Sequence, residues 1–128
     1  ITNGNDPFLN DKIPPVIPPK KGISNFITIL EILARIQPGE MLPLEELFNK
    51  QLFNLSWGAT LVLISGKITK SLLEQLHQSK KRGTNPAVLL TAPINVRTDL
   101  ISLAEHYSIP IYPTRYPNDL KIMREIQL

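Results

Sequence analysis

Ser65 stands where the apolar run Ala59-Thr60-Leu61-Val62-Leu63-Ile64 meets the small polar turn Ser65-Gly66-Lys67. Such a run reads as a buried strand, and its exit toward a helix is where open α/β sheets bind ligands. A serine nucleophile at that corner requires G-x-S-x-G, because the two glycines relieve crowding around a strained backbone. Leu63 and Lys67 hold the glycine positions, so the motif fails twice. Phosphate loops need clustered glycines that let backbone amides approach the anion. The stretch Ser65-Gly66-Lys67-Ile68-Thr69 has one glycine. Lys67 beside a helix start is either an anion contact or a solvated lysine. A second strand exit lies at Thr91-Ala92-Pro93. The candidate binding residues are therefore Ser65, Gly66, Lys67 and Thr91.

The other side chains with chemical potential are scattered. His77 and His106 are the two histidines, each alone on a predicted helix. Neither has a second histidine or carboxylate at the i+4 spacing of a helical metal pair. Glu105 neighbours His106, but adjacent helical residues point apart. Cysteine is absent, which removes disulfides, thiolate zinc sites and cysteine nucleophiles. Lys80-Lys81-Arg82 is a basic cluster at one helix end, where cations complement the dipole. Nucleic-acid binding asks for a longer basic stripe, often with stacking aromatics. Trp57 precedes the first strand and is assigned a packing role. Tyr112, Arg115 and Tyr116 follow the last strand and form at most a small recognition surface.

The elements that must position these residues alternate. A helix is predicted from Ser24, as its cap, to about Ile36, with Phe26, Ile27, Leu30, Leu33 and Ala34 at helical spacing. Ile29, Ile32 and Ile36 widen the arc enough to predict burial on more than one side. Pro43 opens a second helix with Glu45 and Glu46 in its first turn, and Glu46 and Lys50 at i,i+4. Leu44, Leu47, Phe48, Leu52 and Phe53 form its apolar side. The run from Ala59 to Ile64 is continuously apolar, as in strands covered on both faces. A helix follows from about Thr69 to Arg82, with Leu72, Leu73 and Leu76 inward and Gly83 as its C′ residue. Ala87 to Leu90 is a second strand. Asn95 caps a helix through about Tyr107, with Leu100, Ile101, Leu103 and Ala104 inward. Ile109 to Tyr112 is a third strand, at an edge because of Pro110. Asn118 or Asp119 starts a short terminal helix. Alternation of this kind implies right-handed crossovers and a parallel sheet.

The bulk properties set limits. The chain has 128 residues and a net charge of +3, with pI about 9.3 and mean hydropathy −0.03. One α/β domain, or the C-terminal part of one, fits that length. An apolar fraction of 42% supports a packed core. No apolar run approaches the roughly 20 residues needed to span a bilayer. The start, Ile1-Thr2-Asn3-Gly4, has no initiator Met and no signal-peptide pattern, and suggests a chain cut from something longer. Residues 5–22 form a proline-rich connection with Pro7, Pro14, Pro15, Pro18 and Pro19, expected to be extended and irregular. No internal repeat is present.

Several segments together resemble a known family. They are Ile1-Thr2-Asn3-Gly4, the proline stretch to Pro19-Lys20-Lys21-Gly22, Ile32-Leu33-Ala34-Arg35-Ile36-Gln37-Pro38 and Pro43-Leu44-Glu45-Glu46-Leu47. Leu55-Ser56-Trp57-Gly58-Ala59-Thr60-Leu61-Val62-Leu63-Ile64-Ser65 is the strongest. Lys81-Arg82-Gly83 and Ile109-Pro110-Ile111-Tyr112 with Asp119-Leu120 complete the set. The chain resembles the C-terminal half of a von Willebrand factor A-like domain of the bacterial domain-of-unknown-function family 58. That resemblance implies an open, mainly parallel Rossmann-like sheet with helices on both faces, incomplete here because its first strands lie upstream of Ile1. It also implies an adhesion-type metal loop, Asp-x-Ser-x-Ser, that this chain does not contain. The turn Ser65-Gly66-Lys67 lacks the acid that often contributes a third metal ligand, and its lysine repels a cation. No cofactor is therefore expected in this chain, and a divalent cation only with residues upstream of Ile1. Members are often encoded beside MoxR-type AAA+ ATPases.

The leading expectation is a non-enzymatic, cytoplasmic protein-interaction module that works with such an ATPase in assembly or maturation. Its parent protein can still be membrane-anchored. The alternative is a small-molecule or anion-binding α/β domain using the turns at Ser65 and Thr91. A third reading is an enzyme whose catalytic residues lie in missing sequence. No nucleic acid and no membrane contact is expected from this segment. An open sheet edge makes edge-to-edge self-association an expectation too.

Overall fold

The computed structural model describes residues 2, 4, 6–8, 17–18, 20–37, 43–52, 55–91 and 96–115. The chain divides into two units, Ile1–Lys50 and Gln51–Leu128. The first holds α1 (Ile23–Arg35) and most of α2 (Leu44–Leu52). The second carries β1 (Thr60–Ser65), α3 (Lys70–Lys81), β2 (Asn85–Leu90), α4 (Thr98–His106) and β3 (Ile111–Pro113). The terminal helix expected from Asn118, and Tyr116, fall outside the described residues, as do Phe53, Asn95 and much of the proline-rich connection.

The second unit is α/β, an open parallel sheet in the order β1-β2-β3. Thr60 pairs with Asn85 and Ser65 with Leu90; Val88 pairs with Ile111 and Leu90 with Pro113. Two successive crossovers stepping the same way put both helices on the same side of a sheet. α3 and α4 accordingly touch each other, and α3 packs on β2. The core lies beneath them. Leu72, Leu73 and Leu76 of α3 meet the inward row of the sheet, with Leu63, Val88 and Leu90 all buried. Burial of one such side chain contributes about 1.5–3 kcal/mol. Ala104 and Ile109 extend the core toward β3.

β2 is the central strand and is buried along most of its length. β1 differs from expectation. Leu63 is 8% exposed, but Val62 is 48% and Ile64 64% exposed. The run is continuously apolar, yet its outward row is uncovered among the described residues. Ladder polarity explains why β2 tolerates Pro86. Asn85 N–H bonds the Ala59 carbonyl and Thr91 N–H the Ser65 carbonyl, each at 2.9 Å. Alternate residues of a parallel strand bond alternate neighbours. Pro86 therefore directs its missing donor toward β3, which begins only opposite Val88. Val88 N–H reaches the Pro110 carbonyl at 3.0 Å. β3 starts at Ile111 rather than Ile109, and Ile109 serves instead as a core residue, 3% exposed. Its neighbour Pro110 cannot donate to a ladder.

The helix starts also depart from expectation. α1 begins after Gly22, at φ 110°, with no side-chain cap. Ser24 lies inside the helix, where its carbonyl accepts the Thr28 hydroxyl at 3.1 Å. The Pro43 carbonyl accepts both Glu46 and Leu47 N–H at the start of α2, and Glu46 pairs with Lys50 at 3.1 Å. α4 begins at Thr98 with Arg97 as its N-cap residue. Ile101, expected inward, is 40% exposed.

In the first unit, Asp6 is buried and holds three groups. Its Oδ1 accepts Phe8 N–H at 3.0 Å. Its Oδ2 takes Arg35 Nη2 at 3.1 Å and Nε at 3.4 Å. The same guanidinium lies 5.5 Å from the Phe8 ring centre. The segment 6–8 is thereby fastened to the last turn of α1.

Candidate functional site

The strand exits come first. Thr91 N–H bonds the Ser65 carbonyl, so the structure brings these two candidates together at the carboxyl edge of the sheet. Their chemistry is subdued. Ser65 Oγ donates to the Lys67 carbonyl at 2.8 Å and accepts Lys67 N–H at 3.3 Å. The hydroxyl closes its own turn, the common use of serine at such corners. Gly66, Lys67 and Thr91 are exposed. Thr69 caps α3, its Oγ1 accepting Leu72 N–H at 3.1 Å. One amide an anion would need at that helix start is thus taken internally. Residues 92–95, the rest of the β2 exit, lie outside the described residues. Among the described residues no group of three or more His, Asp or Glu side chains is placed to hold a metal.

The amino edge of the sheet carries the histidines and the basic cluster. Helices of a parallel α/β unit run opposite to their strands, so α3 and α4 end here. α3 closes with Gly83 N–H on the Lys80 carbonyl and Thr84 N–H on the Ser79 carbonyl, the paired bonds of a Schellman motif. Gly83 has φ 96°. A Cβ there would overlap the Trp57 indole. Trp57 does pack, against the Gly83 backbone, but it remains 85% exposed. The Ser79 and Thr84 hydroxyls, both buried, bond each other. Lys80, expected only to complement the helix dipole, spans to the end of α4. Its Nζ donates to the Tyr107 carbonyl at 3.3 Å and the Ser108 carbonyl at 2.6 Å. His77 stacks on Tyr107 with ring centres 4.1 Å apart and planes 14° from parallel. His106 meets the same ring at 5.7 Å and 51°. Pattern reading missed this arrangement because His77 and Tyr107 are 30 positions apart and no motif joins them.

Among the described residues, α1 carries a row of five exposed large apolar side chains. Ile23, Phe26, Ile27, Leu30 and Leu33 are 77%, 58%, 48%, 47% and 59% exposed. Their spacing puts them on one stripe. The expected burial of this helix on more than one side is not found: α1 has no buried residue. The amphipathic period specifies the helix, but the mass needed to cover its apolar face is not supplied by the described residues. An open groove of about 340 Å³ adjoins its first turns, lined by Ile17, Pro18, Lys20, Lys21, Asn25 and Ile29. Among the described residues no helix is long and apolar enough to cross a membrane. Comparison with family models, curated proteins and solved structures yields no match to this chain.

Proposed function

We propose that this chain works through protein contact, as a non-enzymatic interaction module forming the C-terminal part of a von Willebrand A-like domain. The observation that carries the reading is the α1 stripe. Five large apolar side chains in one row, each about half exposed or more, are costly to leave in water. The uncovered Val62 and Ile64 on edge strand β1 support the same reading. Both are surfaces that further strands and helices of the same domain, or a partner, would cover. The plain strand exits favour contact over catalysis. The partner proposed is a MoxR-type AAA+ ATPase, in the cytoplasm of a bacterium, acting in assembly or maturation.

Capture of such an ATPase by the chain provides the test. Lys67→Ala is expected to leave capture intact, and Phe26→Gln with Leu30→Gln to abolish it at an unchanged melting temperature. Capture that persists in the α1 variant removes the proposed surface. Anion-dependent melting shifts that disappear in Lys67→Ala would instead favour a ligand site at Ser65 and Thr91.

A further inference from the structure

Tyr107 and Ser108 form the turn that releases α4 toward β3. Ser108 sits at φ 52°, a left-handed conformation that is strained for any residue with a Cβ. Two side chains of α3 hold this turn from outside. Lys80 binds its carbonyls, and the His77 imidazole lies flat on the Tyr107 ring. His77 Nδ1 is buried and has no hydrogen-bond partner. With its one proton on Nε2, a neutral imidazole buries only a bare lone pair at Nδ1. A second proton would create a buried N–H with no acceptor.

We propose that the His77–Tyr107 stack is a pH-operated latch between α3 and the end of α4, closed with a neutral imidazole and loosened when it takes a proton. The charges around it act in the same direction. Lys80 and Lys81 come from α3, and His106 comes from α4. Of the carboxylates on the two helices, Glu74 faces Lys70 at 3.8 Å and Asp99 faces Arg97 at 2.7 Å, while Glu105 is exposed. An imidazolium over a phenol ring gains a cation–π attraction, which opposes the effect. It is outweighed because the proton has no acceptor at Nδ1 and the neighbouring charges are positive. Burial first, then Lys81, His106 and Lys80, hold the His77 pKa below the ordinary histidine value.

The sign follows from that depression. Above about pH 7.5 the folded and unfolded imidazoles are both neutral and the stabilisation is complete. As pH falls through about 6.5, the unfolded chain takes the proton first and stability drops. The test is the melting temperature of the full chain from pH 7.5 to 5.5, with the His77 ring titration followed by NMR. The wild type should lose stability on acidification, with a His77 midpoint below about 6.5. His77→Phe, which keeps a stacking ring, should flatten the profile. Lys81→Gln should raise the His77 midpoint. A wild-type midpoint at or above 6.5, or the same acid loss in His77→Phe, overturns the latch. If His77→Phe does not fold, the wild-type midpoint and its response to Lys81→Gln decide.

Discussion

Gly83 and Ser108 occupy the same place at the ends of α3 and α4. Each follows the C-cap residue, each is left-handed, and each donates its N–H to the carbonyl of the last-but-one helical residue. One is the glycine such a position favours and the other carries a Cβ. The two substitutions should therefore move stability in opposite directions. Gly83→Ala should cost about 1–2 kcal/mol in backbone strain, and more as the Trp57 indole is displaced. Ser108→Gly should gain roughly 0.5–1 kcal/mol, the relieved strain less the extra freedom of an unfolded glycine. Denaturant titration of both variants checks the pair. Asp6 gives a second prediction at this scale. The Phe8 amide, then the Arg35 guanidinium, hold its carboxyl below the usual carboxylate value. Its contribution is present above about pH 4 and is lost as pH falls through that range toward the folded value. Asp6→Asn should lower the melting temperature at neutral pH and flatten the acid limb of its pH profile. Gly83 was legible in the sequence because glycine after a basic helix end is a recognised stop. Ser108 and Asp6 were not, since neither serine nor aspartate announces a tertiary constraint.

β1 and β2 show how far the reading extends for an element. Both are apolar runs of the kind found in parallel sheets, and both are strands. β2 is covered; among the described residues β1 has one neighbour and an exposed row. The ladder alternation directs Leu61 and Leu63 toward β2 and leaves the backbone groups of Thr60, Val62 and Ile64 facing the open edge. Amide hydrogen exchange should therefore alternate along the strand, slow at Leu61 and Leu63 and fast at Thr60, Val62 and Ile64. Uniform protection would mean that something pairs with this edge. α1 repeats the lesson. Its apolar period specified a helix, but a period says only that a face requires cover. It does not say whether the cover is present.

For the whole molecule, an edge left open among the described residues, beside an uncovered apolar row, predicts association. Native edge strands are usually guarded by charge or proline, and β1 has neither. Sedimentation should show concentration-dependent self-association, and Val62→Lys should abolish it without lowering the melting temperature. A chain that stays monomeric at all concentrations would argue that the edge is guarded in another way. The sequence by itself determined the α/β class, the parallel order of its strands and the buried leucines of α3, because periodicity and run length are local consequences of how a backbone meets a core. It also removed nucleophile and phosphate-loop chemistry at Ser65, since those need particular neighbours. Only the tertiary structure decided that Ser65 and Thr91 meet, that Lys80 and His77 clasp the end of α4, and that α1 and β1 expose their apolar rows. Those outcomes depend on which distant surfaces come into contact, and no spacing along the chain encodes that.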